Sequence, residues 1–574
     1  MKPMTKKIAY LKTRLLLPVM VAVASLAPAA HAAAPGITTT NATFNLTAGD
    51  SYLNQPDGST VYSWGYGCAK GFAPTFVPSV GGAGMPGENC PTMQIPGPTL
   101  VVTEGQTVTI NLINALPPAA GNTSILFPGF QVTGSASTTQ PATCAATTAA
   151  AQAPHGLLTT EATNGCSVTY TFTAASPGTR SYYSGTQGDL QIEMGLYGAI
   201  IVLPAHVPSA CTTGLHAANV TAEKHWGESD FRLADAAYDN TNTCYDREYL
   251  FQFSEMDANI HKQAEAQVLA LAGCTAGAQG CSLDVPTEPY HPAYFMINGR
   301  SMPDDMDVNY GSEYPHQPYN GNPHLHPGEQ VLLRIIGQGR WQHPFHEHAN
   351  HVRILARDGN LILTPDGNGL AGAPLFTTTT TPGQTMDGIF YFTGRGLNWD
   401  MYGHLLKSTT GDTLATLPCT PDGNGYNTGD PTAVNFWEWC QDHNKPLEVA
   451  PFGDVASGGP ATLPNPLIFT NGNWYGGSPY LGPDATLRAT TTLRDVGVNG
   501  SNGCVTGAVG SANDPNCSNL LPSNAQANPA NERGWAFMWH SHNEREITTN
   551  NVFPGGMMMM MLVDSREFVI DESN

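Results

Sequence analysis

Short runs in which β-branched and aromatic residues alternate with polar ones recur along most of this chain. Thr99–Leu112 (TLVVTEGQTVTINL) alternates around a Glu-Gly turn, and Ser167–Phe172 (SVTYTF) and Leu196–Leu203 (LYGAIIVL) follow in the same style. Tyr249–Ser254, Gln330–Ile336, His351–Ala356 and Ile389–Thr393 continue it, and Trp535–His542 and Met557–Val563 close it. A period of two sends successive side chains to opposite faces, so each run reads as a β-strand. Turn-rich segments separate the runs, and only Ala264–Ala272 reads as helical. Many short strands between turns predict an all-β protein of sandwiches or barrels.

Composition supports this and narrows the function. The 61 Gly and 45 Pro among 574 residues do not suit long helices, and the length predicts several domains. The net charge is −22. Residues 1–32 hold five basic residues (Lys2, Lys6, Lys7, Lys12, Arg14), no acidic ones, and an apolar run from Leu15 to Leu26 before Ala30-His31-Ala32. That pattern predicts a secretory signal peptide rather than a membrane span, because the run is short and Pro18 interrupts it. A mature chain starting at residue 33 is more acidic still. Such a body argues against nucleic-acid partners and anionic membrane surfaces. The expected location is outside the cytoplasm, periplasmic or extracellular, with no membrane span in the mature chain.

Twelve cysteines follow residue 33, with no CxxC among them. An exported chain with an even cysteine count favours disulfides over thiolate metal sites. Pairing neighbours along the chain predicts Cys68–Cys90, Cys144–Cys166, Cys211–Cys244, Cys274–Cys281, Cys419–Cys440 and Cys504–Cys517.

The chemistry is concentrated in histidines. His343, His346, His348 and His351 fall in one short segment, HPFHEHANH, and His540 and His542 flank Ser541 near the end. On strands, His346 shares a face with His348, and His540 with His542. Two such strands side by side would gather four imidazoles, a donor set suited to copper, zinc, iron or nickel. His324 and His326 have the same spacing but precede a strand and read as a surface turn. Asp304, Asp305 and Asp307 read as a solvated acidic loop, and the Met557–Met561 run reads as strand packing. Glu347 and Glu546 are candidate carboxylate ligands, or acids or bases near the metal, with a surface role as the alternative.

With these motifs in view, the chain resembles the multicopper oxidase superfamily of cupredoxin domains. Pro96–Leu112 (PGPTLVVTEGQTVTINL) resembles that family's opening strands, and Met296–Met302 with Gly328–Ile336 the start of a later domain. His343–Gly359 resembles its HPxHxH segment, and Trp539–Val563 its terminal HCHxxxH segment. The resemblance implies tandem cupredoxin-like Greek-key sandwich domains at 33–206 and at 246–393 plus 532–567. A connector at 207–245 and a loop-rich insertion, or partial third domain, at 394–531 complete the expected plan. It also implies copper. His343 matches a type 1 copper ligand, and His346, His348, His540 and His542 match ligands of the three-copper cluster.

The family pattern is otherwise broken. Leu126 and Pro128 stand where the first histidine pair is expected, and Tyr183 and Gly185 where the second is. Ser541 replaces the type 1 cysteine and Glu546 the second type 1 histidine, leaving Met557 as a weak axial ligand at most. The expectation is therefore an exported copper-binding protein of multicopper oxidase type, holding one or two ions rather than four. Its activity would be that of an oxidoreductase acting through a reduced, histidine-only copper centre on a small molecule or a metal ion. A non-catalytic cupredoxin-fold scaffold is the alternative.

Overall fold

The alternating runs do form strands. The computed structural model describes residues 34–77, 87–228, 235–392, 420–433, 435–440 and 534–564. It adds residues 394, 566 and 570 and the backbone of short strands at 405–407, 414–416 and 477–480. The expected leader and most of the expected insertion lie outside the described residues.

The first sandwich is built from β1 (Gly36–Thr38), β2 (Thr43–Asn54), β3 (Thr60–Cys68), β4 (Thr75–Val77), β5 (Leu100–Thr103), β6 (Thr107–Asn114), β7 (Thr133–Ala136), β8 (Ser167–Thr173), β9 (Gly178–Tyr183) and β10 (Tyr197–Leu203). One sheet runs β4-β1-β5-β10-β9 and the other β3-β2-β6-β8-β7. The pairs β2–β6 and β5–β10 are parallel, so the chain must cross between the sheets rather than meander. In β6 the burial alternates residue by residue, with Val108, Ile110 and Leu112 turned inward. They meet Leu100, Ile200 and Val202 from the facing sheet in one core.

The second sandwich uses β11 (Arg247–Met256), β12 (Tyr294–Ile297), β13 (Gln330–Gly337), β14 (His343–Glu347), β15 (Val352–Arg357), β16 (Thr377–Thr380), β17 (Thr385–Tyr391), β18 (Gly534–Ser541) and β19 (Met558–Asp564). One sheet is ordered β12-β11-β13-β17-β15; the other places β19, β18, β14 and β16 side by side. Its core packs Phe251, Phe253, Leu333 and Phe390 against Phe345, Phe537, Trp539, Met559 and Met561. The methionine run is thus core packing, as its pattern suggests. Every residue of β11 is buried. Its second face is covered by the first sandwich, where Leu250 meets Ala199 and Ile201 and where the Tyr197 hydroxyl donates to Ser254 Oγ at 2.7 Å.

Two helices correct the near-absence of helix expected from sequence. The expected helix at Ala264–Ala272 begins earlier, as α2 (Ala258–Ala270), because the Asp257 side chain caps its first turn by accepting from the Asn259 N–H. The connector contains a 13-residue helix, α1 (Gly214–Trp226), that the pattern does not reveal. Its buried face is largely polar: Asn219 and Glu223 lie beside Ala222 and Trp226, so no apolar stripe marks it.

Near α1 lies a buried ionic cluster. Arg247 pairs with Glu228 and with Glu329, at 2.5 and 2.6 Å, all three fully buried. His326 Nε2 lies 2.8 Å from Glu228, and His324 pairs with Asp564. This corrects the surface-turn reading of His324 and His326: opposite charges packed around them draw both inward. Asp305 is likewise not solvated. It is fully buried, and burial pushes its carboxyl well above the usual range.

Disulfides join Cys68–Cys90, Cys144–Cys166, Cys211–Cys244 and Cys274–Cys281, the first four neighbour pairs. The other two expected pairs involve Cys419, Cys504 and Cys517, which lie outside the described residues. No helix among the described residues is long and apolar enough to cross a membrane.

Candidate metal centre

The candidate site stands on β14 and β18. They pair antiparallel, with His346 opposite His540 and Phe345 opposite Ser541. The two-residue period sends Phe345 and Trp539 into the core and turns His346 and His540 to the outer face. His348 and His542 lie just past the strand ends and extend the same face. Four imidazoles from two strands therefore gather in one place. The ring centroid of His346 is 4.9 Å from His348, 4.9 Å from His542 and 5.6 Å from His540. His348 and His540 are 5.2 Å apart by centroid, and their Nε2 atoms 3.3 Å apart.

Hydrogen bonds orient two of these rings. His540 Nδ1 lies 2.7 Å from the Ser541 carbonyl oxygen. A carbonyl only accepts, so Nδ1 carries the proton and the Nε2 lone pair faces the cluster. His346 Nδ1 is held at 2.7 Å by the Thr377 hydroxyl of the neighbouring strand. Such outer contacts fix ring direction and tautomer in metal sites. Burial and the neighbouring rings of His348, His540 and His542 lower His346 to about 4. Burial, with His348 and His542, also lowers His540. Both rings are neutral near pH 7 and able to donate a lone pair. The donor chemistry fits copper. Among the described residues, no three potential ligands are arranged around a common point as they would be for a bound ion.

His343 does not join the four. It is fully buried, with Nε2 2.9 Å from Glu255 and Nδ1 2.9 Å from Glu546. Burial alone would lower its pKa, but the hydrogen bonds to Glu255 and Glu546 outweigh it and raise it to about 9. The ring is thus an imidazolium with both nitrogens committed, and it has no lone pair for a metal. Ser541 faces the same network, its hydroxyl donating to Glu546 Oε2 at 2.5 Å. Asn543 donates to the other Glu546 oxygen at 2.8 Å, and the backbone N–H groups of Arg340 and Trp341 donate to Glu255. Three of the four positions that the resemblance assigns to type 1 copper, His343, Ser541 and Glu546, are therefore joined in a closed hydrogen-bond network. Met557 is buried in the core. Glu347 is buried on the opposite face from the histidine cluster, and burial pushes its carboxyl well above the ordinary range. Glu255 is the member that sequence reasoning missed. It lies about ninety positions before His343, and no motif points to it.

At Leu126, Pro128, Tyr183 and Gly185 the first sandwich offers no imidazole. The segments of Leu126 and Tyr183 do lie together, Leu126 N–H donating to the Tyr183 carbonyl at 2.7 Å. A Cβ on Gly185 would sit 2.8 Å from Leu126 Cγ. The leucine fills the room beside the glycine, so this part of the site is packed with hydrocarbon.

Residues 92–206 match the family described as multicopper oxidase. The match covers that stretch of the first sandwich, which is thus similar to the multicopper oxidases, a family whose chemistry implies copper. Among solved structures, the chain is similar to a blue copper oxidase from Nitrosomonas europaea, with 14% identity, a TM-score of 0.40, and coverage of 90% of this chain and 85% of that one. It is also similar to a copper nitrite reductase from Nitrosomonas europaea, with 20% identity, a TM-score of 0.33, and coverage of 61% and 84%. A third is Fet3p, a multicopper oxidase that functions in iron import, with 17% identity, a TM-score of 0.34, and coverage of 61% and 45%. No curated protein sequence matches the chain significantly.

Proposed function

We propose that this protein is exported and binds copper through a histidine-only centre formed by His346, His348, His540 and His542. The observation that carries the reading is the convergence of four imidazoles from two paired strands, with the His348 and His540 Nε2 atoms 3.3 Å apart. Bound copper would supply one-electron redox chemistry toward a small phenol or a metal ion such as Mn(II). The chain's own residues set the limits. Thr377 and the Ser541 carbonyl orient two rings, and exposed His542 leaves the cluster open to solvent. The Glu255–His343–Glu546–Ser541 network supplies neither a thiolate nor a free imidazole, so electron entry through a blue copper site is not part of this proposal. One or two ions is the stoichiometry that four ligands support. The test is copper content of the mature protein before and after replacing His346 and His540 together by Ala. Retention of copper by the double variant would refute the centre.

A second reading, a non-catalytic cupredoxin-fold copper-binding or scaffold protein, is favoured by one observation: Leu126 packs over Gly185 where the family's first-domain ligands belong. Turnover of phenols or Mn(II) by the copper-loaded protein separates the two readings.

A further inference from the structure

A cleft of about 540 Å³ opens on the outer face of the first sandwich and shares no residue with the histidine cluster. Its size falls within the range of small-molecule sites. The floor is Asn45 of β2 with Asn111 and Ile113 of β6. Leu112 turns into the core, so its neighbours Asn111 and Ile113 face outward. One wall, beyond β3, carries Lys70 and Phe72; the other, beyond β7, carries Gln140 and Pro141.

Both walls are pinned. The Cys68–Cys90 disulfide holds the start of the first, and the Ala69 N–H donates to the Asn45 carbonyl at 2.9 Å. In the second, Gln140 Nε2 donates to the Ser167 carbonyl at 2.9 Å, and its Oε1 accepts from the Ser167 N–H at 2.8 Å. The Cys144–Cys166 disulfide closes that loop a few residues on. A cleft formed in advance spends little binding energy on ordering its own chain.

The floor is a directed chain of hydrogen bonds. Thr169 Oγ1 donates to Asn111 Oδ1 at 2.6 Å, and Asn111 Nδ2 donates to Asn45 Oδ1 at 2.9 Å. The Thr169 proton being spent, the Ser137 hydroxyl is the donor in its 2.6 Å contact with Thr169 Oγ1. The chain ends at Asn45, which is half-buried. Its Nδ2 has no hydrogen-bond partner among the described residues and is not sealed from solvent. The amide is thus held in place by its oxygen while its N–H groups remain free to donate.

The lining selects a class of ligand. It has no carboxylate and one cation, Lys70 at the exposed rim, so neither a metal ion nor a phosphate finds its usual partners. Amides and hydroxyls that both donate and accept match ligand hydroxyls, which do the same. Phe72 packs against the first core and also lines the cleft, and Ile113 and Pro141 add apolar surface beside it. A flat aromatic ring among neutral hydrogen-bonding groups fits a sugar ring, which has an apolar C–H face and a polar edge.

We infer that this cleft binds a short neutral saccharide, with the Asn45 amide hydrogen-bonding to its hydroxyls and Phe72 covering a sugar-ring face. The test is calorimetric titration of the full chain with cellobiose, maltose and lactose, and with glucuronate as a charged probe. Saturable binding of at least one disaccharide, tighter than that of glucuronate, is expected. Asn45→Ala should weaken it roughly five- to tenfold, the worth of one hydrogen bond, with little change in melting temperature. Phe72→Leu keeps an apolar contact with the core but removes the flat ring, and should weaken binding by at least as much. The His346→Ala/His540→Ala variant should bind the sugar as the wild type does, which separates this site from the copper centre. Binding of none of the three disaccharides by the folded wild-type chain would overturn the inference. So would tighter binding of glucuronate, unchanged binding by Asn45→Ala, or loss of binding in the histidine variant. Should Phe72→Leu fail to fold, the Asn45→Ala and glucuronate results decide.

Discussion

A single proton distinguishes His343 from the histidines near it. Held between Glu255 and Glu546, its ring titrates at about 9, whereas His346, among other imidazoles, titrates at about 4. The His343 value lies above the ordinary value of roughly 6.5. The folded state therefore binds this proton more tightly than the unfolded chain does. The resulting stability is fully present below about pH 6.5 and is lost as pH rises through about 9. Urea unfolding of the wild type and of His343→Gln, followed from pH 6 to pH 10, should show their stability difference shrinking across that window. A constant difference would contradict the ion-paired assignment. A second expectation concerns Ser541. Restoring a thiolate with Ser541→Cys should not produce a blue absorption band in the copper-loaded protein, because Glu255 and Glu546 still hold His343. A blue band in that single variant would show that the network yields to metal.

At the scale of elements, the strand pair β14–β18 does two jobs with opposite faces. Phe345 and Trp539 anchor the core, their rings 6.2 Å apart edge to face, while His346 and His540 point outward. Replacing the outward pair should therefore cost little stability, as expected for side chains away from the core. The His346→Ala/His540→Ala variant should melt within a few degrees of the wild type while losing its copper. A large drop in melting temperature would mean that the imidazoles are structural. This division of faces was legible in the sequence, because HxH spacing and flanking aromatics obey the same period of two. The type 1 substitutions Ser541 and Glu546 were also visible as departures from a motif. Glu255 was not, since it comes from β11, brought beside His343 only by folding. Helix α1 was hidden for a related reason. Its buried face is satisfied by partners distant in sequence, Asn219 by Asp246 and by Arg566, and a local pattern carries no trace of them. The same pairing with distant charges drew His324 and His326 inward from their expected surface turn.

Across the whole molecule, two sandwiches are joined through β11, and a buried ionic cluster ties the connector and the C-terminal residues to the second sandwich. Glu228 is the hub, contacting Arg247, His326 and the backbone N–H of Ile570. Burial alone would raise its carboxyl, but Arg247 and His326 outweigh it and hold it at about 2. That depressed value means a contribution present above the unfolded carboxylate range and lost as pH falls through about 2. Glu228→Gln leaves Arg247 and His326 short of one counter-charge and should destabilise the protein by roughly 3–5 kcal/mol, measured by urea unfolding at pH 7. A loss within experimental error would mean that the cluster reorganises around Glu329. The fold class and the first four disulfide pairs were readable from alternation and cysteine spacing, because both are local. The ionic lock was not, since its members span α1, β11 and the C-terminal residues.

The central claim is a copper centre made of histidines alone, beside a type 1 position closed by carboxylates. The most direct test is metal analysis of the copper-loaded mature protein together with its visible and EPR spectra. One or two coppers per chain, with no blue thiolate band and with imidazole nitrogen couplings, is the predicted result. A chain that binds no copper, or one that carries several coppers and a blue band, would contradict it.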